Sequence, residues 1–287
     1  MKCLLLAVLI LMTVKPLWGQ YAVQVVMERT EFFANEVMSA TVNITNRSGA
    51  EVVVGGPGRT NWLQILIEDD FGKTPLPPLD VDGTKMMRIP AGATISQKLN
   101  LTQAYALADV GTYAAVARVY YAPTNSYYDS NRKVFTVVDN KPIWTQSYGV
   151  PKGYMREGMV MCYNLHVYRD YDRAFLYFTL CDEKLKIRSV SYRLDPILTT
   201  RDPQIALDKN NWLHVFFQAT TEVFTYCIIK PDGMIHSRKH IHSAQGVPQL
   251  LAKEDGTLTV VGGTVESEPG SGGAKKKRGV SDRPPGL

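Results

Sequence analysis

Three histidines, His236, His240 and His242, lie close together toward the C-terminal end of the chain. On a strand, His240 and His242 share a face, because side chains alternate with period two. Two neutral imidazoles so placed could hold Zn²⁺ if a third ligand joined them. No HExxH or CxxC motif and no neighbouring carboxylate completes the set, and no metal is expected: a solvent-facing strand beside Arg238 and Lys239 accounts for them. Glycoside hydrolysis would need two carboxylates roughly 5–10 Å apart. Asp202, Asp208, Glu222, Asp232 and Asp255 are the candidates, but most sit in turn contexts (RDP, LDKN, PDG, EDG) where acids cap turns. Nothing matches a Ser-His-Asp elbow, a phosphate loop or a dinucleotide fingerprint. No catalytic residue and no cofactor is therefore assigned. Tyrosines offer different chemistry, since they supply rigid contact area with a polar tip. Tyr120, Tyr121, Tyr127 and Tyr128 bracket a loop expected over 122–130, and Tyr121, Asn125, Tyr127 and Tyr128 are the candidate binding residues. The plainer alternative places Tyr120 or Tyr121 in the core.

These side chains need elements to position them, and the first stretch is not one of those elements. Lys2 precedes an apolar run over 4–14, long enough for a signal-peptide core and too short to cross a bilayer. Cleavage after Gly19 (segment 1–19) is expected. Cys3 lies before the run, which argues against a lipoprotein signal. The chain is thus expected to be exported, extracellular or periplasmic in the cell envelope. Cys162, Cys181 and Cys227 remain after cleavage, each within an apolar run (MVMCYNL, YFTLCDE, FTYCIIK). They read as small core residues, with one disulfide plus a free thiol as the alternative. No Cys-His signature marks a catalytic thiol.

From 20 to 139 the periodicity is that of strands, expected over 22–28, 36–46, 62–68, 85–89, 94–101, 112–121 and 132–138. Turn clusters separate them: Asn46-Arg47-Ser48-Gly49, Gly55-Gly56-Pro57-Gly58, Asp69-Asp70-Phe71-Gly72, Asp82-Gly83 and Pro90-Ala91-Gly92. About seven short strands in this length point to a Greek-key sandwich. The stretch Asp109-Val110-Gly111-Thr112-Tyr113-Ala114-Ala115 resembles the D-x-G-x-Y-x-C segment of immunoglobulin-like domains. That resemblance implies structural roles for Asp109, Gly111 and Tyr113, with Tyr113 as a tyrosine corner, and for Trp62 as a core tryptophan. Ala115 replaces the disulfide cysteine, so apolar packing must hold the sheets together. The stretches NEVMSATVNITN, PAGATISQKLNL and GTYAAVARV also resemble macroglobulin-type domains and a family of intracellular proteinase inhibitors.

Lys141-Pro142 marks a linker over 140–154. Beyond it, 203–215 and 248–260 both read Pro-Gln-apolar, polar turn, apolar strand, at a spacing of 45 residues. That period is one four-stranded propeller blade, and the region 155–265 resembles the bladed repeats of sialidase-like propellers. Its length allows about two to three blades, fewer than the four of a closed propeller. Such a fragment would expose sheet faces and edges, so self-association through the C-terminal β-domain is one expectation. Residues 266–287, with the run Lys275-Lys276-Lys277-Arg278, have almost no apolar content and read as a disordered basic tail, solvated or tethered to an anionic surface.

The formal charge of +5 resides largely in the two ends, which gives no support for a nucleic-acid-binding face. No run after the signal approaches a transmembrane span. The sequence therefore reads as an all-β exported protein, an Ig-like sandwich plus a small propeller-like domain, that binds a protein or glycan partner without catalysis. A hydrolase acting through the propeller-like part and a proteinase-inhibitor-like module are the alternatives.

Overall fold

The computed structural model describes residues 20–56, 62–69, 79–80, 85–102, 105, 107–244 and 246–265. The expected signal peptide, the expected basic tail and the turns at Pro57-Gly58, Asp70-Phe71-Gly72 and Asp82-Gly83 lie outside the described residues. The chain is all-β. Its strands are β1 (Tyr21–Met27), β2 (Glu31–Phe33), β3 (Ser39–Asn46), β4 (Val52–Val54), β5 (Leu63–Asp69), β6 (Leu79–Asp80), β7 (Met87–Ile89), β8 (Thr94–Asn100), β9 (Gly111–Tyr121), β10 (Ser126–Asp129) and β11 (Lys133–Val138). They continue with β12 (Trp144–Gly149), β13 (Val160–Asp170), β14 (Arg173–Asp182), β15 (Arg188–Pro196), β16 (Gln204–Leu207), β17 (Leu213–Gln218), β18 (Val223–Ile229), β19 (Ile235–His242), β20 (Gln249–Ala252), β21 (Leu258–Val261) and β22 (Thr264–Val265).

The described chain divides into two compact units. Unit 1 runs to Thr145 and includes Asn164–His166 and Tyr177–Arg193, and unit 2 holds the remaining residues. In unit 1 one sheet has the order β1-β3-β8, a second β2-β11-β9-β5-β6 with β10 hairpinned onto β9, and β4 pairs with β7 as a two-stranded ribbon. β3 shows why the sheets close on each other. Its sequence SATVNITN alternates half-buried and buried positions without a break, so Ala40, Val42 and Ile44 all enter one core. Ile65 and Ile67 of β5, Ala117 and Val119 of β9, and Phe135 of β11 enter the same core from the second sheet. The strand expected over 36–46 starts only at Ser39, because Asn35, in the left-handed region at φ 62°, turns the chain after the short β2. β2 then pairs in parallel with β11 (Thr136↔Glu31, Val138↔Phe33).

Two further sheets follow, with strand orders β12-β13-β14-β15 and β16-β17-β18-β19-β22, and then a separate β20-β21 ribbon. The 45-residue spacing of the sequence recurs in the pairing. Gln204 faces Phe216 in β16–β17, and Gln249 faces Val261 in β20–β21, the same register one repeat on. The turns repeat as well. Asp208 N donates to Trp212 O (3.0 Å) as Lys253 N does to Thr257 O (2.8 Å), with Asn211 (φ 59°) and Gly256 (φ 79°) at matching left-handed positions. Lys230-Pro231-Asp232-Gly233 closes β18–β19 with the same bonds, and Gly233 (φ 87°) takes the left-handed place. Asn and Gly serve there because their small or locally hydrogen-bonding side chains tolerate positive φ. The apolar face of the second sheet, Phe216, Phe224, Tyr226 and Ile241, is packed by Leu250 and Val260 of the ribbon. Cys162 and Cys227 are buried, and Cys181 is half-buried.

Candidate functional site

The tyrosine segment is a β-hairpin rather than a loop. β10 pairs antiparallel with the end of β9: Ser126↔Tyr121, Tyr127↔Tyr120, Tyr128↔Val119, Asp129↔Arg118. Period-two alternation then sorts the side chains onto opposite faces. Tyr121 and Tyr128 turn inward with Tyr21, making an edge-to-face triad at ring separations of 5.1, 5.6 and 6.1 Å against the core. Tyr120 and Tyr127 turn outward as a cross-strand pair 5.2 Å apart. Beside them Arg118 pairs with Asp129 (Nε–Oδ1 3.0 Å), and its guanidinium lies 5.9 Å from the Tyr127 ring. The hydrogen bond to Asp129 holds the Arg118 pKa above its ordinary value.

A single 3-10 turn, Ala122–Thr124, connects the strands, with Pro123 in its first positions. Asn125 closes it at φ 51°, donating its backbone N–H to Ala122 O (3.2 Å). The Asn125 Oδ1 accepts the Tyr120 hydroxyl at 2.7 Å, so Asn125 shapes the tip and orients an outward tyrosine. A groove of about 610 Å³ opens beside this tip, with Tyr21, Tyr121 and Pro123 on one side and Glu51, Val52 and Val53 on the other. Of the four candidate binding residues, Tyr121 lines the groove, Tyr128 braces it from within, and Asn125 and Tyr127 belong to the tip and the outer face.

Three of the four candidate structural residues, Asp109, Gly111 and Tyr113, lie around the start of β9, and Trp62 lies beside its end. The Tyr113 hydroxyl donates to Asp109 O at 3.0 Å, and its ring stacks on Phe135 at 5.7 Å. Gly111 lies under that ring, where an added Cβ would stand 3.5 Å from it. Trp62 is buried, and its carbonyl accepts the Tyr120 N–H at 2.8 Å.

The turn acids make local contacts. Asp208 Oδ1 accepts from Asn210 N and Trp212 N, Asp232 Oδ1 from Met234 N, and Asp255 Oδ1 from Thr257 N. His240 Nε2 lies 3.1 Å from Asp195 Oδ2, which also accepts the Thr225 hydroxyl. His236 meets Trp212 edge-on at 4.8 Å. Among the described residues no group of three His, Cys, Asp or Glu side chains could hold a metal. A second pocket, about 600 Å³, lies in unit 2 with Arg169, Arg173, Thr199, Thr200 and Thr220 on its walls.

One polar cluster in unit 1 carried no sequence signal. Glu36, buried, accepts from Arg29 Nη2 at 2.6 Å and from Phe33 N at 2.9 Å. Arg29 also reaches the Tyr177 hydroxyl at 3.4 Å, and Tyr177 stacks on Phe33 at 4.8 Å. Next to Phe33, His166 is only 1% exposed, with Nδ1 3.0 Å from Asn140 O and Nε2 3.1 Å from the Thr179 hydroxyl. These partners call for a neutral ring that donates from Nδ1 and accepts at Nε2. Burial, reinforced by the Arg188 charge, lowers the His166 pKa to about 4. Burial likewise raises Tyr177 to about 12. The cluster joins residues of distant segments within unit 1 through these bonds.

No protein-family model and no curated protein matches the sequence. Among solved structures, the sporulation control protein Spo0M of Bacillus subtilis is similar over 60% of this chain and 84% of its own, at 10% identity and a TM-score of 0.30. The structural genomics target SoR45 is similar over 42% of this chain and 87% of its own, at 17% identity and a TM-score of 0.28. The alkylpurine DNA glycosylase AlkC of Pseudomonas fluorescens, bound to DNA containing an abasic site analogue, is similar over 42% of this chain and 31% of its own, at 11% identity and a TM-score of 0.28.

Proposed function

We propose that the protein is an exported, non-catalytic binding module of the cell envelope or extracellular space, which holds a protein or glycan partner at the tyrosine hairpin of unit 1. The observation that carries this reading is the groove of about 610 Å³ lined by Tyr21, Tyr121, Pro123, Glu51, Val52 and Val53, with the outward Tyr120–Tyr127 pair on the opposite face of the same hairpin as a second exposed aromatic surface. A concave surface lined by rigid aromatic and apolar groups, with a few polar atoms at its rim, is the usual setting for recognition. The Asp109–Gly111–Tyr113 corner supports an immunoglobulin-like reading of the sandwich, and the hairpins repeating in one register support a propeller-like reading of the second half.

The test uses the full chain as bait against envelope extract and against immobilised glycans. Tyr120→Ala/Tyr127→Ala removes outward rings without emptying the core, and Pro123→Gly alters the groove wall. Either variant is expected to weaken capture by about tenfold, the loss of about 1.4 kcal/mol of contact. Capture that is the same for wild type and both variants would remove the hairpin from the reading. Processing at Gly19, read by N-terminal sequencing of the mature protein, tests the export part.

A further inference from the structure

Three connections of unit 2 are tied together by hydrogen bonds: residues 150–159 between β12 and β13, 208–212 between β16 and β17, and 230–234 between β18 and β19. Asn211 Nδ2 donates to Gly149 O at 3.0 Å. The Tyr163 hydroxyl donates to Asn211 O at 2.9 Å, and the Tyr148 hydroxyl to Pro231 O at 2.6 Å. Trp212 sits where they meet. Its Nε1 donates to the Tyr154 hydroxyl at 3.0 Å, His236 approaches its ring at 4.8 Å, and the Lys230 ammonium lies 5.8 Å from the ring centre.

This well-anchored framework holds large apolar side chains out in water: Met155 is 82% exposed, Met234 59%, Val160 51% and Met159 40%. Fixed exposure of this kind marks a contact surface, and methionine suits one that adapts to its partner. Lys152, Arg156, Lys209 and Lys230 stand on the same connections. The three acids there are turned onto backbone N–H groups: Glu157 accepts from Gly153 N, Asp208 from Asn210 N and Trp212 N, and Asp232 from Met234 N. Those carboxylates keep their charge, so the connections carry four cations against three anions, with the apolar side chains at their tips. The sequence adds a second basic element, Lys275-Lys276-Lys277-Arg278, downstream of the same unit.

We propose that this end of unit 2 docks on an anionic lipid surface. Met155, Met159, Val160 and Met234 enter the boundary between headgroups and acyl chains, and Lys152, Arg156, Lys209 and Lys230 meet the phosphates, their methylene stems lying along the apolar layer. A lipid surface is favoured over an acidic peptide because the apolar side chains are carried on turn and loop tips, where a planar, yielding partner can take them all at once.

The test is cosedimentation of the full chain with vesicles of phosphatidylcholine alone and of equimolar phosphatidylcholine and phosphatidylglycerol. Binding is expected to the anionic vesicles only. Met155→Ser/Met234→Ser should weaken it by about tenfold. Lys152→Gln/Lys209→Gln should weaken it by about twenty-five-fold, about fivefold for each charge. All four positions are on the surface, and urea unfolding of each variant verifies that the fold is kept. A third variant replaces Lys275 to Arg278 with glutamine. Binding lost only in that variant would assign the interaction to the basic run and overturn the proposal. Failure to bind anionic vesicles, indifference to both loop variants, or capture of an acidic peptide with vesicles ignored would overturn it as well.

Discussion

Replacing His166 should change how stability depends on pH, and in one direction only. The ring is 1% exposed, and burial, then the nearby Arg188 charge, keeps it neutral even though the hydrogen bond to Asn140 O favours the charged form. Its pKa falls from 6.5 to about 4 on folding. The unfolded chain therefore takes up this proton first as the solution is acidified. The stabilisation is complete above pH 6.5 and is lost as the pH falls toward about 4, a total of about 3 kcal/mol. Between about pH 7 and 5, where carboxylates scarcely titrate, the loss is about 2 kcal/mol. Urea unfolding of wild type and His166→Gln at these two pH values isolates it. The variant should be less stable at neutral pH, because the Thr179 and Asn140 contacts are disturbed, yet its stability should fall by about 2 kcal/mol less between the two conditions. His214 is also lowered by burial, but it is present in both proteins and drops out of the difference. An equal fall in wild type and variant would refute the buried neutral imidazole.

Glu36→Ala should cost about 2–3 kcal/mol in denaturant unfolding, since it leaves the buried Phe33 N–H without its acceptor and the partly exposed Arg29 guanidinium without its ion pair. Replacing Arg29 by Met as well should recover part of that loss, and an equal loss in the double variant would show that the ion pair is not what holds the cluster. Gly263→Ala should lower the thermal midpoint, at a cost of about 1–3 kcal/mol. Its Cβ would stand 2.6 Å from Ile241 Cγ2 and 2.8 Å from His242 O, at φ +74°. An unchanged melting curve would mean that the β19–β22 end yields freely.

Local patterns in the sequence carried most of what could be read from it. The alternation of β3, the turn acids bonded two residues on, and the Asp109–Tyr113 corner all join near neighbours, so composition and spacing expose them. The short elements β2, β4 and β10 did not show. β2 has three residues and gains its place by parallel pairing with β11, far along the chain, which no window of sequence reveals. The Arg29–Tyr177 contact spans 148 positions, and neither residue lies in a run that suggests a partner. The polar cluster was illegible for the same reason that it is stable: its members come from distant segments and are enclosed only once those segments meet.

The tyrosine hairpin lies between these cases. Its residue types pointed to recognition, but a loop reading treated Tyr121, Asn125, Tyr127 and Tyr128 as equivalent. Pairing makes them unequal. The register Tyr120↔Tyr127 sends one pair to solvent, and Val119↔Tyr128 sends Tyr128 inward to join Tyr121 and Tyr21. The inner rings then stiffen the strand ends while the outer rings remain available. The left-handed turn at Asn125 lets the hairpin close that tightly and aims the Tyr120 hydroxyl. Carried through residues 126–129, period two would have separated the bracing tyrosines from the presenting ones on sequence alone. What hid the strand was its composition, SYYD, whose polar ends read as loop while its aromatic middle pairs as sheet.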